Sequence, residues 1–517
     1  MKGKEGTMIK EEKGQLTIFF SLLLLSILLL GLTAIEGVRI AEAKTKVQRS
    51  LISAQESILA DYNTELSKRY HILFFDRTYN KRGEEEVEKR IEDYMDYQLN
   101  PSQFLTKKAL GLYDCSVELA RYENDTTIME NHCKSLRHEI REYMKYREPK
   151  ELLKALGDTV SKAAGNEGAR EDAAAQVDES KAELENQENN QEESEDQGEA
   201  TPTEEVEDPR DSIKSIISGG ILNFVMKDVS KISTDKFDKS KLPSHNITEV
   251  EEQDSDAKFD EIEDLQGMLK DSATTSMADK VQTEGLGVEY ALLHFSHATS
   301  KEKLEPTKLK YEVEYLIAGK NSDMANIKSV VNKITLLRFG MNFAYILTDS
   351  AKRAEALGLA TAIAGATANP AIVKVVQYLI LSAWSYAESL VEVRELLKGG
   401  RVPVVKNMEN WNLSLSGLSN LSSNSSVKKS KVGLSYQDYL RVFLLATTNQ
   451  DKKYYRMLDL MDMNVKQTNE KFAIENSVFS YDTACVVRVK RLFRLLPVVG
   501  GFNKDYYEFE FMRTCSY

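Results

Sequence analysis

Apolar residues dominate one stretch near the start of the chain and then settle into a helical period. Residues 16–35 read LTIFFSLLLLSILLLGLTAI and contain no charged residue and no proline. At a rise of about 1.5 Å per residue, twenty helical residues cover about the 30 Å of a bilayer core. The pattern therefore predicts a membrane-spanning helix at 15–35.

The helix is expected to continue past the apolar run. Glu36 and Arg39 end the run, but no proline or turn-forming cluster follows, and good helix formers continue to about Tyr70. Apolar residues in this outer half stand three or four positions apart and so share one face. We predict that this stripe packs on a folded domain; its members are Val47, Leu51, Ala54, Ile58, Tyr62, Leu66 and Tyr70.

A cleavable signal peptide is the main alternative to a retained anchor. The apolar run exceeds the roughly 7–15 residues of a signal sequence and leads straight into further helix rather than into a small-residue cleavage site. Retention is therefore favoured. Charge does not decide the orientation, because the basic residues at 2, 4, 10 and 13 are matched by those at 39, 44, 46 and 49.

The rest of the chain mixes two periodicities. Helical patterns cover residues 83–99, 127–155, 211–227, 287–299, 325–356 and 371–398, whereas alternation predicts strands at 113–119, 311–318, 477–494 and 505–513. The last two strands flank LPVVGGFNK and predict a C-terminal hairpin. We expect an α+β fold in which helices accompany an antiparallel sheet.

Composition divides the chain into folded and polar parts. Between residues 178 and 208 there are 14 acidic residues and one Lys, a net charge of −13 that equals the charge of the whole chain. Such a segment buries too little apolar surface to fold. The predicted organisation is a leader at 1–14, the membrane helix at 15–35, an α/β part at 36–164, a disordered acidic linker at 165–256 with a short apolar helix at 211–227, and a helix-rich α+β block with the hairpin at 257–517.

Two further segments invite a structural interpretation. The small-residue segment 358–370 suggests a second membrane span, but Asn369, Pro370 and Lys374 interrupt the apolar run, which favours buried core helices. The Ser- and Asn-rich segment 412–433 predicts an exposed loop.

No pattern indicates a catalytic or nucleic-acid site. The chain has no C-x-x-C pair, His294 and His297 lack a third ligand at a recognisable spacing, and Glu314 stands where a phosphate loop ending in Gly319 and Lys320 needs glycine. Outside the acidic linker the charge is nearly balanced, and a Lys cluster at 428–431 lies in the polar loop. We predict no enzyme activity, no cofactor, no metal, no small-molecule substrate and no nucleic-acid partner.

Several stretches resemble known proteins. A charged leader that ends in Gly14, an apolar helix that becomes amphipathic, and Glu36 three positions before Arg39 resemble the TadE/TadG-like pseudopilin and pilus-assembly proteins. The run from GQLTIFF to RYHILFF, with YEVEYLIAGKNSD, WSYAESLVEVRELLKGGRVPVVK, LSYQDYLRVFLL and RMLDLMDMN, is similar to an uncharacterised Gram-positive family that accompanies tight-adherence (Tad) pilus genes. This second resemblance covers most of the chain, and the first covers about seventy residues.

The resemblance implies two sets of site residues. Leader processing would fall between Gly14 and Gln15, although Phe19 stands where prepilin peptidase substrates usually carry Glu. Pilin glutamates pair with the next subunit, so Glu36 and Arg39 are candidate assembly contacts. The alternative for these two is an exposed ion pair within the helix, worth little energy, and that alternative is favoured.

These expectations define three hypotheses about function. The first is a single-pass, outward-facing structural or accessory component of a Tad-like pilus or related secretion apparatus, with the membrane and other apparatus proteins as partners. The second is a membrane-tethered enzyme with an unrecognised site. The third is an inward-facing anchored scaffold.

The hairpin also predicts a neighbouring pair of cysteines. Residues that face each other in an antiparallel hairpin have a constant sum of positions, and 485 plus 515 centres the hairpin at Gly500. Cys485 and Cys515 would then lie opposite each other, within reach of a disulfide. Two buried free thiols are the alternative.

Overall fold

A computed structural model describes residues 5–100, 115–146, 208–246, 278–300, 307–367, 369–419, 427–446, 449–493 and 505–517, with the isolated positions 175, 179, 182 and 421. The fold is α+β, as predicted. The chain forms two compact units, unit 1 from Met1–Ser135 with Asn469–Tyr517 and unit 2 from Leu136–Thr468. Most of the predicted linker at 165–256 lies outside the described residues.

The described helices are α1 (Glu5–Ala60), α2 (Thr64–Tyr70), α3 (Glu85–Leu99), α4 (Glu130–Met144), α5 (Pro209–Ser218), α6 (Ile221–Val225), α7 (Ala278–His294), α8 (Glu312–Ala318), α9 (Asp323–Thr348), α10 (Ser350–Ala364), α11 (Pro370–Leu397), α12 (Tyr436–Ala446) and α13 (Gln450–Val465). The described strands are β1 (Phe75–Asp76), β2 (Cys115–Thr127), β3 (Arg401–Val402), β4 (Leu434–Ser435), β5 (Ser477–Lys490) and β6 (Tyr506–Ser516).

Helix α1 forms the backbone of unit 1. It continues without a break from the apolar run into the outer half, which confirms the predicted long helix. The stripe packs against α3 and the sheet, and its members Val47, Leu51, Ala54 and Ile58 are buried there, as is Ala43 one turn earlier. The helix ends at Ala60 rather than near Tyr70. Asn63 starts α2, since its side-chain oxygen accepts from the backbone N–H groups of Glu65 and Leu66.

A four-stranded antiparallel sheet faces this helix layer. β5 is its central strand, with β2 on one edge and both β1 and β6 on the other. Every second residue of β5 between 481 and 489 is buried, as expected for a strand with one face on the core. β5 and β6 belong to unit 1, where β5 pairs with β2, whereas the prediction grouped the hairpin with the 257–517 block.

The hairpin register also differs from the prediction. Cys485 faces Phe511, and Cys515 faces Tyr481, so the two cysteines stand four residues apart along the ladder. At about 3.3 Å per residue that is about 13 Å, beyond the reach of a disulfide. All four cysteines are free thiols. The prediction took the positions of facing residues to sum to 1000, whereas the pairing of Lys490 with Tyr506 gives a sum of 996.

Unit 2 is a helical body in which α9 and α11 are largely buried. The predicted strand at 311–318 is instead helix α8. The segment at 412–433 is not simply an exposed loop, because Leu413, Leu415 and Leu418 are buried. The apolar helix predicted at 211–227 is present as α5 and α6, separated at Gly219 and Gly220. The folded part already includes residues 239–246, which the prediction placed in the linker.

Candidate functional site on the long N-terminal helix

The apolar half of α1 is exposed on all sides. Leu24 is 60 % exposed and Leu30 73 %, and apolar side chains of similar exposure point in every direction around this part of the helix. Among the described residues, α1 is the one helix that is long and apolar enough to cross a membrane. A soluble surface does not carry such a patch, so lipid or other apolar helices are its expected surroundings.

A buried ion pair marks the place where α1 leaves the apolar run. The guanidinium of Arg39 donates two hydrogen bonds to the carboxylate of Glu36, from Nε to Oε2 at 3.1 Å and from Nη2 to Oε1 at 2.8 Å. Glu36 is completely buried and Arg39 is 7 % exposed. The predicted exposed ion pair is therefore wrong.

The end of the hairpin covers this pair. Arg39 Nη2 also donates to the carbonyl of Lys490 at 2.6 Å, and the backbone N–H of Leu492 donates to Oε1 of Glu36 at 3.3 Å. The pair thus links α1 to the end of β5 within unit 1. Sequence reasoning missed this burial because the residues that cover the pair come from more than 450 positions later.

These contacts restrict what Glu36 and Arg39 can do in assembly. Each already has charged and backbone partners inside its own chain. An assembly role for the two stays a prediction, and it would require a neighbouring copy to compete with those partners. The junction of Gly14 with Gln15 lies inside α1, and leader processing there likewise stays a prediction.

A second polar cluster lies in the interior of unit 2. Arg338 donates two hydrogen bonds of 2.8 Å to Glu392, and the Lys406 ammonium lies 2.6 Å from carboxylate oxygens of both Glu388 and Glu392. All four side chains are at most 1 % exposed. Glu388 also accepts from the backbone N–H groups of Asn412 and Leu413, so the cluster ties the 404–413 segment to α11.

This cluster has the character of a structural clamp. Its carboxylates are held by cations and by backbone donors, which is how buried charge is tolerated. The sequence carried a signal for it that was missed: two Glu residues four positions apart, at 388 and 392, within an otherwise apolar helix face.

Three groups in unit 2 with strongly shifted pKa values lie outside this cluster. Burial raises the pKa of Glu314 to about 7, although the Ala298 N–H and the Tyr436 hydroxyl donate to Oε1. Burial likewise raises the pKa of Asp459 to about 6 and lowers that of His297 to about 4. His294 and His297 belong to no group of three or more ligating side chains within the described residues.

A surface cleft of about 350 Å³ is lined by Ser350, Arg353, Ala354, Leu357, Lys374, Gln377, Tyr378 and Leu381. None of the groups with strongly shifted pKa values lines it. An enzyme site usually combines a concave pocket with such groups. This cleft therefore gives the enzyme hypothesis no support, and the absence of enzyme activity stays a prediction.

Fold and site together define an α+β protein whose N-terminal helix can cross a membrane. Comparison with known families matches residues 199–489 to the family of unknown function DUF5702, and because this match covers more than half of the chain, the protein belongs to that family. The match includes most of unit 2 and β5, and it excludes α1. No curated protein and no solved structure matches the chain.

Proposed function

We propose that this chain is a single-pass membrane protein, with most of its residues outside the cytoplasm, that serves as a structural or accessory component of a Tad-like pilus or related secretion apparatus. The observation that carries the proposal is the form of α1. One uninterrupted helix has an apolar half that is exposed on all sides and an outer half that is packed into unit 1. The resemblance of this region to TadE/TadG-like proteins supplies the biological context.

The structure of unit 1 suits a part that transmits position or force. The stripe on α1 and the Glu36–Arg39 pair couple the helix to the sheet at its outer half and at its exit from the apolar run. A helix held in this way moves with unit 1 as one body. Packing of α1 against other apolar helices would therefore place unit 1 in an assembly.

Small residues on α1 offer a place for such packing. A Cβ atom built on Gly31 or Gly37 would meet no atom within 4 Å. Small residues let apolar helices approach closely in a membrane. We expect a neighbouring helix to approach α1 at Gly31.

Photo-crosslinking in the native membrane tests the proposal. A photoreactive residue at Leu30 should form a protein adduct, either with another copy or with another membrane protein of the apparatus. Gly31→Leu keeps the segment apolar but blocks close approach, so it should abolish the adduct while leaving membrane insertion intact. The same photoreactive residue at Tyr97, which is 60 % exposed on α3, serves as the control position.

The outcomes separate an assembling helix from a simple anchor. Lipid adducts alone at Leu30, or a protein adduct that Gly31→Leu does not change, would contradict assembly through α1. A map of the neighbouring genes provides an independent check, since the proposal expects pilus genes beside this one.

A further inference from the structure

Helix α10 and the first turns of α11 form an arm that projects from the body of unit 2. Only three residues of α10 are buried, and among residues 370–378 of α11 only Ala371 is buried. The two helices run antiparallel, since Gln377 Nε2 donates to the carbonyl of Arg353 at 2.8 Å. The buried residues of α10 are Ala356, Ala360 and Ala364, which lie four positions apart on one face.

The outer part of this arm carries no charge. Glu355 and Lys374 are separated by eighteen residues, 356–373, among which there is no Asp, Glu, Lys or Arg. Leu357 is 44 % exposed, and Leu359 and Ile363 are partly exposed. An exposed helical surface in water normally carries charged residues, so an uncharged projecting surface indicates a binding face.

Positive charge gathers where the arm joins the body. The cleft of about 350 Å³ lies there, with Arg353, Lys374 and the polar groups of Gln377 and Tyr378 in its lining. No acidic side chain lines it. The nearest acids in sequence are Glu355 and Asp349, and Asp349 caps α10 and pairs with Lys352 at 3.5 Å.

We propose that the arm inserts its uncharged tip into the interfacial layer of the bilayer, and that the cleft at its base receives the phosphate of an anionic phospholipid. Gly365 stands twelve positions after Arg353, so the arm projects about 18 Å at 1.5 Å per residue. That length is too short to cross a bilayer but ample for the roughly 5–10 Å depth of interfacial helices. The same chain carries a helix that can span a bilayer and would tether unit 2 to the membrane.

Charge favours an anionic lipid surface as the partner of the arm, because the cleft at its base is lined by Arg353 and Lys374. Close helix pairing uses small residues, but the small face of α10 is already occupied by contact with α11. The surface left outside carries Leu357, with Leu359 and Ile363 partly exposed, beside the small residues Gly358, Thr361 and Ala362, and its larger apolar side chains partition well into lipid. The cations at the base then lie at the depth of the headgroups.

Quenching of tryptophan by brominated lipids tests the proposal. The full chain is reconstituted into vesicles that contain bromine-labelled phosphatidylcholine with or without phosphatidylglycerol. Leu357→Trp reports on the exposed side of the arm beside the cleft, and Val432→Trp, at a site that is 77 % exposed outside the arm, is the matched control. The native Trp384 and Trp411 are buried, so the unmodified chain gives the background to subtract.

We expect at least twofold stronger quenching at position 357 than at position 432. In the Leu357→Trp chain, Arg353→Gln combined with Lys374→Gln should reduce this quenching in vesicles with phosphatidylglycerol and leave it unchanged without. Equal quenching at the two positions would overturn insertion of the arm. Unchanged quenching in the double variant would overturn the role of the cleft. Crosslinking between cysteines introduced at position 357 of two copies, with no lipid quenching, would assign the surface to self-association instead.

Discussion

Removal of Arg39 should destabilise unit 1 strongly. In Arg39→Met, the carboxylate of Glu36 loses both guanidinium hydrogen bonds, at 2.8 and 3.1 Å, and keeps the Leu492 N–H at 3.3 Å. The carboxylate is completely buried, so the variant leaves a charge without its countercharge in the interior. Breaking a buried pair in this way typically costs about 3–5 kcal/mol of the free energy of unfolding.

Replacing both partners should cost much less. Glu36→Leu combined with Arg39→Met removes the uncompensated charge, and exchange of a buried pair for apolar residues is often neutral. We expect the free energy of unfolding of the double variant to lie within about 1–2 kcal/mol of that of the parent. A double-mutant cycle on positions 36 and 39 should therefore show strong coupling.

The native cysteines supply the assay. All four lie in unit 1, three of them buried, and burial raises the pKa of Cys485 to about 11, which slows its reaction. Pulsed thiol labelling of the full chain in increasing urea therefore reports the unfolding of unit 1. Arg488→Met is the matched control, since Arg488 pairs with Glu118 and Glu508 at the surface and is 34 % exposed. The control should cost less than about 1 kcal/mol.

This reasoning would be refuted if Arg39→Met lowered the free energy of unfolding of unit 1 by no more than Arg488→Met does. Such a loss would mean that water reaches Glu36. A double variant that folds normally but no longer gives the adduct at Leu30 would instead assign the pair to assembly.

Three further predictions concern unit 2, whose unfolding in urea is followed by the fluorescence of its two tryptophans. Burial raises the pKa of Glu314 from 4.5 to about 7, so the folded state binds this proton more tightly than the unfolded state does. The contribution of this protonation to the free energy of unfolding is therefore complete below pH 4.5 and is lost as the pH rises to about 7. Between pH 5 and 7.5 the free energy of unfolding of the parent should fall by about 2–3 kcal/mol relative to that of Glu314→Gln. Both proteins contain His297, so its opposite effect on stability cancels in the comparison. Lys406→Met should lower the free energy of unfolding by about 3–5 kcal/mol, because it removes the cation between the buried carboxylates of Glu388 and Glu392. The control Lys428→Met, at the surface, should lower it by less than about 1 kcal/mol. Val432→Cys should react with an impermeant maleimide on intact cells, with the parent as the blank; reaction only after lysis would place unit 2 in the cytoplasm and contradict the proposed function.

Patterns that depend on neighbours in sequence were predicted well. The continuity of α1, the stripe at Val47, Leu51, Ala54 and Ile58, and the two strands of the hairpin follow from local periodicity, and the structure contains them. These features need no knowledge of distant residues.

Helix α8 shows where such reasoning fails. The alternation in YEVEYLIA predicts a strand if its glutamates face water, but Glu312 and Glu314 are both buried. Asn464 donates to Glu312 and Tyr436 donates to Glu314, from more than 120 positions later. With both faces buried, the alternation no longer distinguishes an inner face from an outer one. The buried pair at Glu36 and Arg39 was missed for the same reason.

The order of elements in unit 1 has a consequence for assembly. The central strand β5 lies between β2 and the β1–β6 edge, so the core that α1 faces is incomplete until the end of the chain is made. A bond such as that from Gln55 Nε2 to Thr483 Oγ1 closes a separation of 428 residues. The closure entropy grows only by about 0.6 kcal/mol for each doubling of length, so the insertion of unit 2 costs little stability. The insertion of unit 2 does set the order of folding steps, because α1 can enter the membrane long before the sheet covers its stripe. Only a chain that reaches β5 and β6 locks Arg39 to Lys490, and an assembly that requires a rigid α1 therefore selects chains whose sheet is finished.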